Sequence, residues 1–217
     1  SLCDWSSDVC SSDLTFQRAR GDINVKIKNN EINRFYQSGS AKVFYPKSSQ
    51  KFKELVLVNT AGGITSGDNF SYDFEIVNKS KIFLTTQTAE RAYKGFNEQA
   101  KIKISLTVDD TSNLFWIPQE LILFNNCNFD RNIEVNLSPN SNFVLAETTI
   151  FGRTAMGEYL EKGYFNDNWR INVNKNLIHA EALNLNGNIK ETLSNIASAK
   201  DGVAISNIFI DRKSTRL

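Results

Sequence analysis

The sequence predicts an all-β protein: antiparallel hairpins stacked into a superhelix, with one or two short helices. Three observations carry that expectation. Apolar and polar residues alternate at period 2 in segments along the whole chain, the pattern of half-buried strands. Clusters of Asn, Asp, Ser and Gly, the residues that favour turns, separate those segments. A similar hexapeptide recurs as the second strand of each strand-turn-strand unit: IFLTTQ at 82, LFWIPQ at 114, FVLAET at 143 and LIHAEA at 177, with starts 32, 29 and 34 residues apart.

In chain order, Ile23, Val25 and Ile27 open the pattern, and a strand over 55–59 follows. The run Gly62, Gly63, Ile64, Thr65, Ser66, Gly67, Asp68 lacks the GK[ST] ending of a phosphate loop and is read as a backbone device supplying positive φ. Phe70, Tyr72, Phe74 and Ile76 make the next strand, and 82–87 its return. Ala89 to Phe96 is the first candidate helix. Ile102, Ile104, Leu106 and Val108 lead through DDTSN at 109–113 into the strand at 114–119, where Pro118 requires an edge or a bulge because it has no N–H to donate. NNCN at 125–128 precedes Ile133, Val135 and Leu137, and SPNSN at 138–142 turns the chain into 143–148. Ile171 and Val173, the strand 177–182 and the turn at 186–188 lead to the second candidate helix, 191–199.

Composition limits the partners. The chain has 217 residues with 25 Lys+Arg against 24 Asp+Glu, so the broad basic field of a nucleic-acid or anionic-membrane binder is missing. A hydrophobic fraction of 41% with 15 Phe excludes wholesale disorder, and no run reaches the length of a membrane helix. Residues 1–14, SLCDWSSDVCSSDL, resemble translated sequencing-adapter DNA, as does the ending DRKSTRL at 211–217; both are expected to be non-native. The domain is therefore expected over 15–210, incomplete at its C-terminal side. Cys3 and Cys10 fall outside it, leaving Cys127 without an internal disulfide partner and pointing to a reducing, cytoplasmic compartment.

The lone histidine, His179, and the lone cysteine of the domain do not assemble a zinc site or a thiol nucleophile. Carboxylates and amides among apolar residues are more informative: Gln87, Glu90, Gln119, Glu120, Glu147 and Glu181. If Gln87, Gln119, Glu147 and Glu181 face inward, they form a polar line through the stack, a wet channel whose oxygen ligands bind a divalent metal weakly. If they face outward they are simply solvated, and the sequence leaves both open.

Four segments taken together carry a resemblance. LVNTAGGITSGD (57–68), TTQTAERAYK (85–94), WIPQELILFNNCNFDR (116–131) and ETTIFGRTAMGE (147–158) resemble, in order and spacing, the UreD (UreH) family of urease accessory proteins, over roughly 35–210. Gly62, Gly63, Gly67 and Asp68 occupy the family's GG-GD turn. Asp130 and Arg131 occupy its DR position and are expected to fix a turn, while Arg153, Met156, Gly157 and Glu158 occupy its GR-AMGE core. Arg153 and Glu158 either pair structurally or contact a partner. Met156 is expected to pack rather than ligate.

The resemblance implies a non-enzymatic scaffold that docks on apo-urease and recruits UreF and the GTPase UreG. It further implies an internal route for nickel, with no tightly bound cofactor of its own. Gln87, Glu90, Gln119, Glu120 and Glu147 are the candidates for lining that route or touching the ion in transit.

Two rival readings remain. One is a β-solenoid or sandwich binding module for carbohydrate or protein. The other is a two-carboxylate glycosidase using Glu120 and Glu147, which needs the carboxyl groups roughly 5 to 9.5 Å apart across a cleft. Neither accounts for four ordered motif segments.

Overall fold

The computed structural model describes residues 17–47, 50–96 and 98–211; the 1–14 segment with Cys3 and Cys10, and residues 212–217 of the tail, lie outside the described residues. The strands are β1 (Arg20–Lys28), β2 (Glu31–Gly39), β3 (Ala41–Phe44), β4 (Lys53–Asn59), β5 (Asn69–Val77), β6 (Lys81–Thr86), β7 (Glu90–Ala92) and β8 (Ala100–Val108). They continue with β9 (Asn113–Trp116), β10 (Leu121–Leu123), β11 (Asn128–Leu137), β12 (Asn142–Phe151), β13 (Lys162–Val173), β14 (Asn176–Asn188) and β15 (Ala204–Asp211). A 3-10 turn, Thr154–Met156, and one helix, α1 (Ile189–Ser194), complete the list.

These strands form two facing sheets. The first runs β14-β13-β11-β8-β5-β1-β2; the second runs β3-β4-β6-β9-β12-β10-β7, with β15 also on β12. The all-β superhelical stack is as expected, but its wiring corrects the hairpins. β5 and β6 do not pair with each other. Each lies in a different sheet and pairs in parallel with its counterpart one coil on, β5 with β8 and β6 with β9. The first three units are therefore arches rather than hairpins, while the fourth, β13 and β14, is the expected antiparallel hairpin. Side chains from the two inner faces meet between the sheets, and the backbone ladders run between coils. Period-2 alternation is satisfied equally by both arrangements, since it fixes which face is buried and not which strand supplies the hydrogen bonds.

The arches stack through their turns. Ser80, Ser112 and Ser141 are each fully buried at the same point of successive arches. The Asn113 amide donates to the Ser80 carbonyl (2.8 Å), and the Asn142 amide to that of Ser112 (3.0 Å). The first three repeats are in register, Ile82 beside Leu114 and Leu114 beside Phe143. The fourth is not a repeat. Residues 177–182 lie in β14, antiparallel to β13 in the first sheet.

The second sheet is interrupted in a way that matters for function. β6 and β7 run end to end with a break at 87–89, and β9 and β10 with a break at 117–120 that holds Pro118. The expected helix over 89–96 is therefore β7, paired in parallel with β10. Eight residues without tertiary support nucleate a helix poorly, and here the ladder prevails. The second expected helix is present but earlier and shorter; Asn188 caps it by accepting from the Glu191 amide (3.3 Å).

Outside the core, the two sheets differ. The first exposes a polar ladder, with Asn168 donating to Asn132 (3.3 Å), Asn172 to Asn136 (3.2 Å) and Asn166 to Asp130 (3.0 Å). Across the second runs an apolar row, Phe83, Phe115, Val144 and Ile210, in register from strand to strand.

Candidate functional site

The alternation that buries Phe129, Ile133 and Val135 from β11 also turns Arg131 inward, and the same phase turns Asp167 of β13 and Glu147 of β12 into the space between the sheets. Arg131 and Asp167 are register partners on neighbouring strands. The Arg131 guanidinium donates to Asp167 through Nε (2.8 Å to Oδ1) and Nη2 (2.6 Å to Oδ2), and Nη2 also reaches Glu147 Oε2 at 2.7 Å. The indole of Trp116 donates to Glu147 Oε1 (2.6 Å), and that of Trp169 to Asp167 Oδ2 (3.2 Å). All three charged groups are buried.

A buried triad with two carboxylates and one guanidinium is costly to desolvate and is held together by its hydrogen bonds. Burial pushes the Glu147 carboxyl up, opposed by the charge of Arg131 and the Trp116 and Arg131 hydrogen bonds. Burial pulls the Arg131 guanidinium down, but Asp167 and Glu147 outweigh it and hold the group firmly protonated.

Beside the triad lies a cavity of about 40 Å³, bordered by Arg131, Glu147, Trp116, Tyr72, Gln119 and Glu90 among others. A second pocket of about 50 Å³, bordered by Asn59, Gln87 and Arg91, shares Leu57, Tyr72, Thr86 and Glu90 with the first. Glu90 thus stands at the partition. Its carboxylate accepts from Asn59 Nδ2 (3.3 Å to each oxygen) and from the Arg91 amide (3.2 Å). Burial nevertheless pushes it up to about 7, with Asp68 adding to the rise. Both spaces open where the second sheet is broken, because residues 87–89 and 117–120 leave their ladders there.

Gln87, Glu90, Gln119 and Glu147 border two adjoining spaces, but only Glu147 is buried; Gln87 and Gln119 are exposed, so the inward polar line of Gln87, Gln119, Glu147 and Glu181 does not form. Glu120 borders neither; its carbonyl accepts the Glu90 amide (2.9 Å). Glu181 lies apart on β14, accepting from Asn207 (2.9 Å). Arg131 and Asp130 do not fix a turn, as expected from their motif position. Both lie within β11, Arg131 facing in and Asp130 out. Sequence reasoning missed Asp167, Tyr72, Asn59 and the two tryptophans. The phase of alternation carried a signal for Asp167, which shares its parity with Phe165, Trp169 and Ile171.

The remaining motif residues build turns. Asp68 is buried and accepts from the amides of Ala19 (2.7 Å) and Thr65 (2.8 Å), closing the loop in which Gly62 and Gly67 have φ of 79° and 77°. Gly63 packs so closely on Tyr93 and the Arg91 carbonyl that a Cβ would lie 2.3 and 2.9 Å from them. Arg153 Nε donates to Glu158 Oε2 (2.6 Å), and its guanidinium lies 4.2 Å from the centre of the Phe124 ring. Glu158 Oε1 accepts the Asn125 amide (3.0 Å). Gly157 caps the 3-10 turn with φ of 74°. Met156, expected to pack, is instead 76% exposed at the tip of that turn. Cys127 is buried, its thiol pushed up to about 12 by burial.

Among the described residues no group of three or more His, Cys, Asp or Glu is placed to hold a metal ion, and no helix is long and apolar enough to cross a membrane.

Residues 16–212 match the family model described as UreD urease accessory protein. The urease accessory protein UreD of Rhodopseudomonas palustris strain BisB5 is 38% identical over 197 residues, covering 89% of this chain and 70% of that protein. Its counterpart in strain HaA2 is 40% identical over 177 residues, covering 82% and 63%. That of Bradyrhizobium diazoefficiens is 36% identical over 206 residues, covering 93% and 75%. The chain thus spans between 63% and 75% of the length of these relatives.

Proposed function

The chain belongs to the UreD family of urease accessory proteins, and on that premise we propose that it is a non-enzymatic scaffold of urease maturation that gives nickel a passage between its two sheets. In this reading it docks on apo-urease and recruits UreF and, through the complex, UreG, which hydrolyses GTP. Nickel is cargo and no cofactor is retained. The proposed compartment is the cytoplasm, where a lone thiol stays reduced.

One observation carries the reading: Arg131, Glu147 and Asp167 are buried between the sheets, and Arg131 and Glu147 border one of two adjoining spaces that share the half-buried Glu90. Burying such groups opposes folding, so their presence calls for a use other than stability. An apolar tube would refuse a charged ion, and a cluster of thiolates and imidazoles would trap it; scattered oxygen ligands do neither.

The test is co-expression of the chain with tagged UreF, UreG and apo-urease, followed by size exclusion and urease activation at limiting nickel. Co-elution is expected. Glu147→Ala and Glu90→Ala chains that still co-elute are expected to activate urease several-fold less. Full activation by both, in folded complexes, would remove the passage and leave only the scaffold.

A further inference from the structure

We propose that the turn at 152–159, together with the neighbouring Tyr93, is a docking surface for one protein partner that presents an apolar pocket rimmed by carboxylates, with Met156 as the side chain that enters the pocket. The observation is a side chain held out rather than packed in. Met156 is 76% exposed, yet the turn that carries it is fixed by a set of contacts. Arg153 donates to Glu158 (2.6 Å), Glu158 accepts the Asn125 amide (3.0 Å), and the Arg153 carbonyl accepts the amides of Met156 (2.8 Å) and Glu158 (3.1 Å). An ion pair this exposed adds little stability by itself, and an apolar side chain left in water adds none. A turn organised around a bare methionine positions it for something outside the chain. Met is enriched where protein surfaces meet, because its flexible thioether fills irregular pockets.

The methionine does not stand alone. Tyr93, Phe124 and Arg153 come from three successive coils and stack on one another at this edge: the Tyr93 and Phe124 rings meet edge to face with centroids 4.8 Å apart, and the Arg153 guanidinium lies 4.2 Å from the Phe124 centre. Tyr159, three residues beyond Met156, is also exposed, with the Lys190 ammonium 5.9 Å from its ring. Charge says what would meet these groups. Glu158 and Glu161 are taken up by Arg153 and Lys190. Arg91 and Lys94, close to Tyr93 in the chain, are exposed and form no ion pair among the described residues. The unpaired charge beside Tyr93 is therefore positive and favours carboxylates on the partner. A second copy would set the same cations against each other, so the surface does not suit self-association.

This inference rests on the scaffold reading for the proteins offered to the surface, and not on the passage between the sheets.

The experiment co-expresses the full chain with tagged apo-urease and, separately, with tagged UreF, and measures retention of each by the unaltered chain and its variants over a range of salt. Met156→Glu, which sets a carboxylate against the acidic rim, is expected to weaken retention of one of the two proteins about tenfold or more, and that one only. Met156→Ala is expected to weaken it about fivefold, and Met156→Leu, which keeps the apolar volume, less than about twofold. Lys94→Glu is expected to weaken retention of the same protein and to reduce its sensitivity to salt. Both positions are exposed, so the thermal midpoint of each variant is expected to stay within about 2 °C of the unaltered chain, which separates lost docking from lost folding.

Lys94→Glu lies outside the turn and carries the test if Met156→Glu does not fold. Folded variants that retain both proteins as strongly as the unaltered chain, or that lose both together, would overturn the surface and leave the scaffold reading standing. An effect confined to association of the chain with itself would make a second copy the occupant and overturn the proposal equally. An unaltered chain that retains neither protein overturns the scaffold reading, and this surface with it.

Discussion

Glu90 is half-buried, and its carboxyl is moved into the neutral range. Its carboxyl rises from an ordinary 4.5 to about 7, because burial disfavours its charge more than Asn59 and Arg91 favour it. Between those two values the folded chain holds a proton that the unfolded chain has released. The associated stability is therefore fully present below about pH 4.5 and is lost as the pH rises through 7. Glu90→Gln cannot ionise and escapes that loss. In urea unfolding the variant is expected to match the unaltered chain near pH 4.5 and to exceed it by about 2 kcal/mol at pH 8, a figure reduced for the partial exposure of the side chain. Equal stability at both pH values would mean that water reaches the carboxylate freely. Tyr72, raised by its own burial and by Glu90, remains neutral throughout this range.

At the scale of elements, the loop between β12 and β13 offers a paired test of why glycine stands where it does. Gly152 has φ of 82°, and a Cβ there would lie 2.7 Å from the Glu158 carbonyl and 2.8 Å from the Leu160 amide, both backbone atoms that cannot yield. Gly157 has φ of 74° with nothing within 4 Å of a Cβ. Gly157→Ala is thus expected to cost about 1 kcal/mol, the left-handed penalty alone, and Gly152→Ala about 3 kcal/mol or more by thermal unfolding. Equal costs would show that the loop relaxes around either substitution. The same scale explains what the sequence could reveal. Ile82, Leu114 and Phe143 were legible as equivalent positions because identical arches impose identical burial. The fourth hexapeptide misled because Ile178, Ala180 and their neighbours share the alternation of a second-sheet strand while belonging to a first-sheet edge. The hairpin reading failed for the three stacked units, since arches and hairpins bury the same side chains, and held for β13 and β14, which pair antiparallel. The site was half legible. Glu147 stood out as a carboxylate among apolar residues. Its pairing with Arg131 crosses between the sheets, and that of Arg131 with Asp167 depends on parallel register between strands 36 residues apart, neither of which a local pattern records.

For the molecule as a whole, charge and surface act in the same direction. The chain has a formal charge of +1 and a pI near 7.6, so at neutral pH little net repulsion separates two copies. The polar ladder of the first sheet is well solvated, but the second sheet presents Phe83, Phe115, Val144 and Ile210 in one row and Ile208 one row away. Ile208 is 70% exposed and Ile210 61%. An apolar sheet face with weak charge favours association between copies. Replacing Ile208 and Ile210 together by lysine adds two positive charges on that face and removes little buried area, so the folded state should lose no more than about 1 kcal/mol. Light scattering near pH 7.6 is expected to show the unaltered chain associating as its concentration rises, while the double variant stays monomeric. High salt, which screens the added lysines, is expected to restore part of the association. If the variant associates as strongly as the unaltered chain at low salt, the contact lies elsewhere, with the edge of β2 the next surface to alter, since among the described residues its outer side pairs with no strand of the sheet.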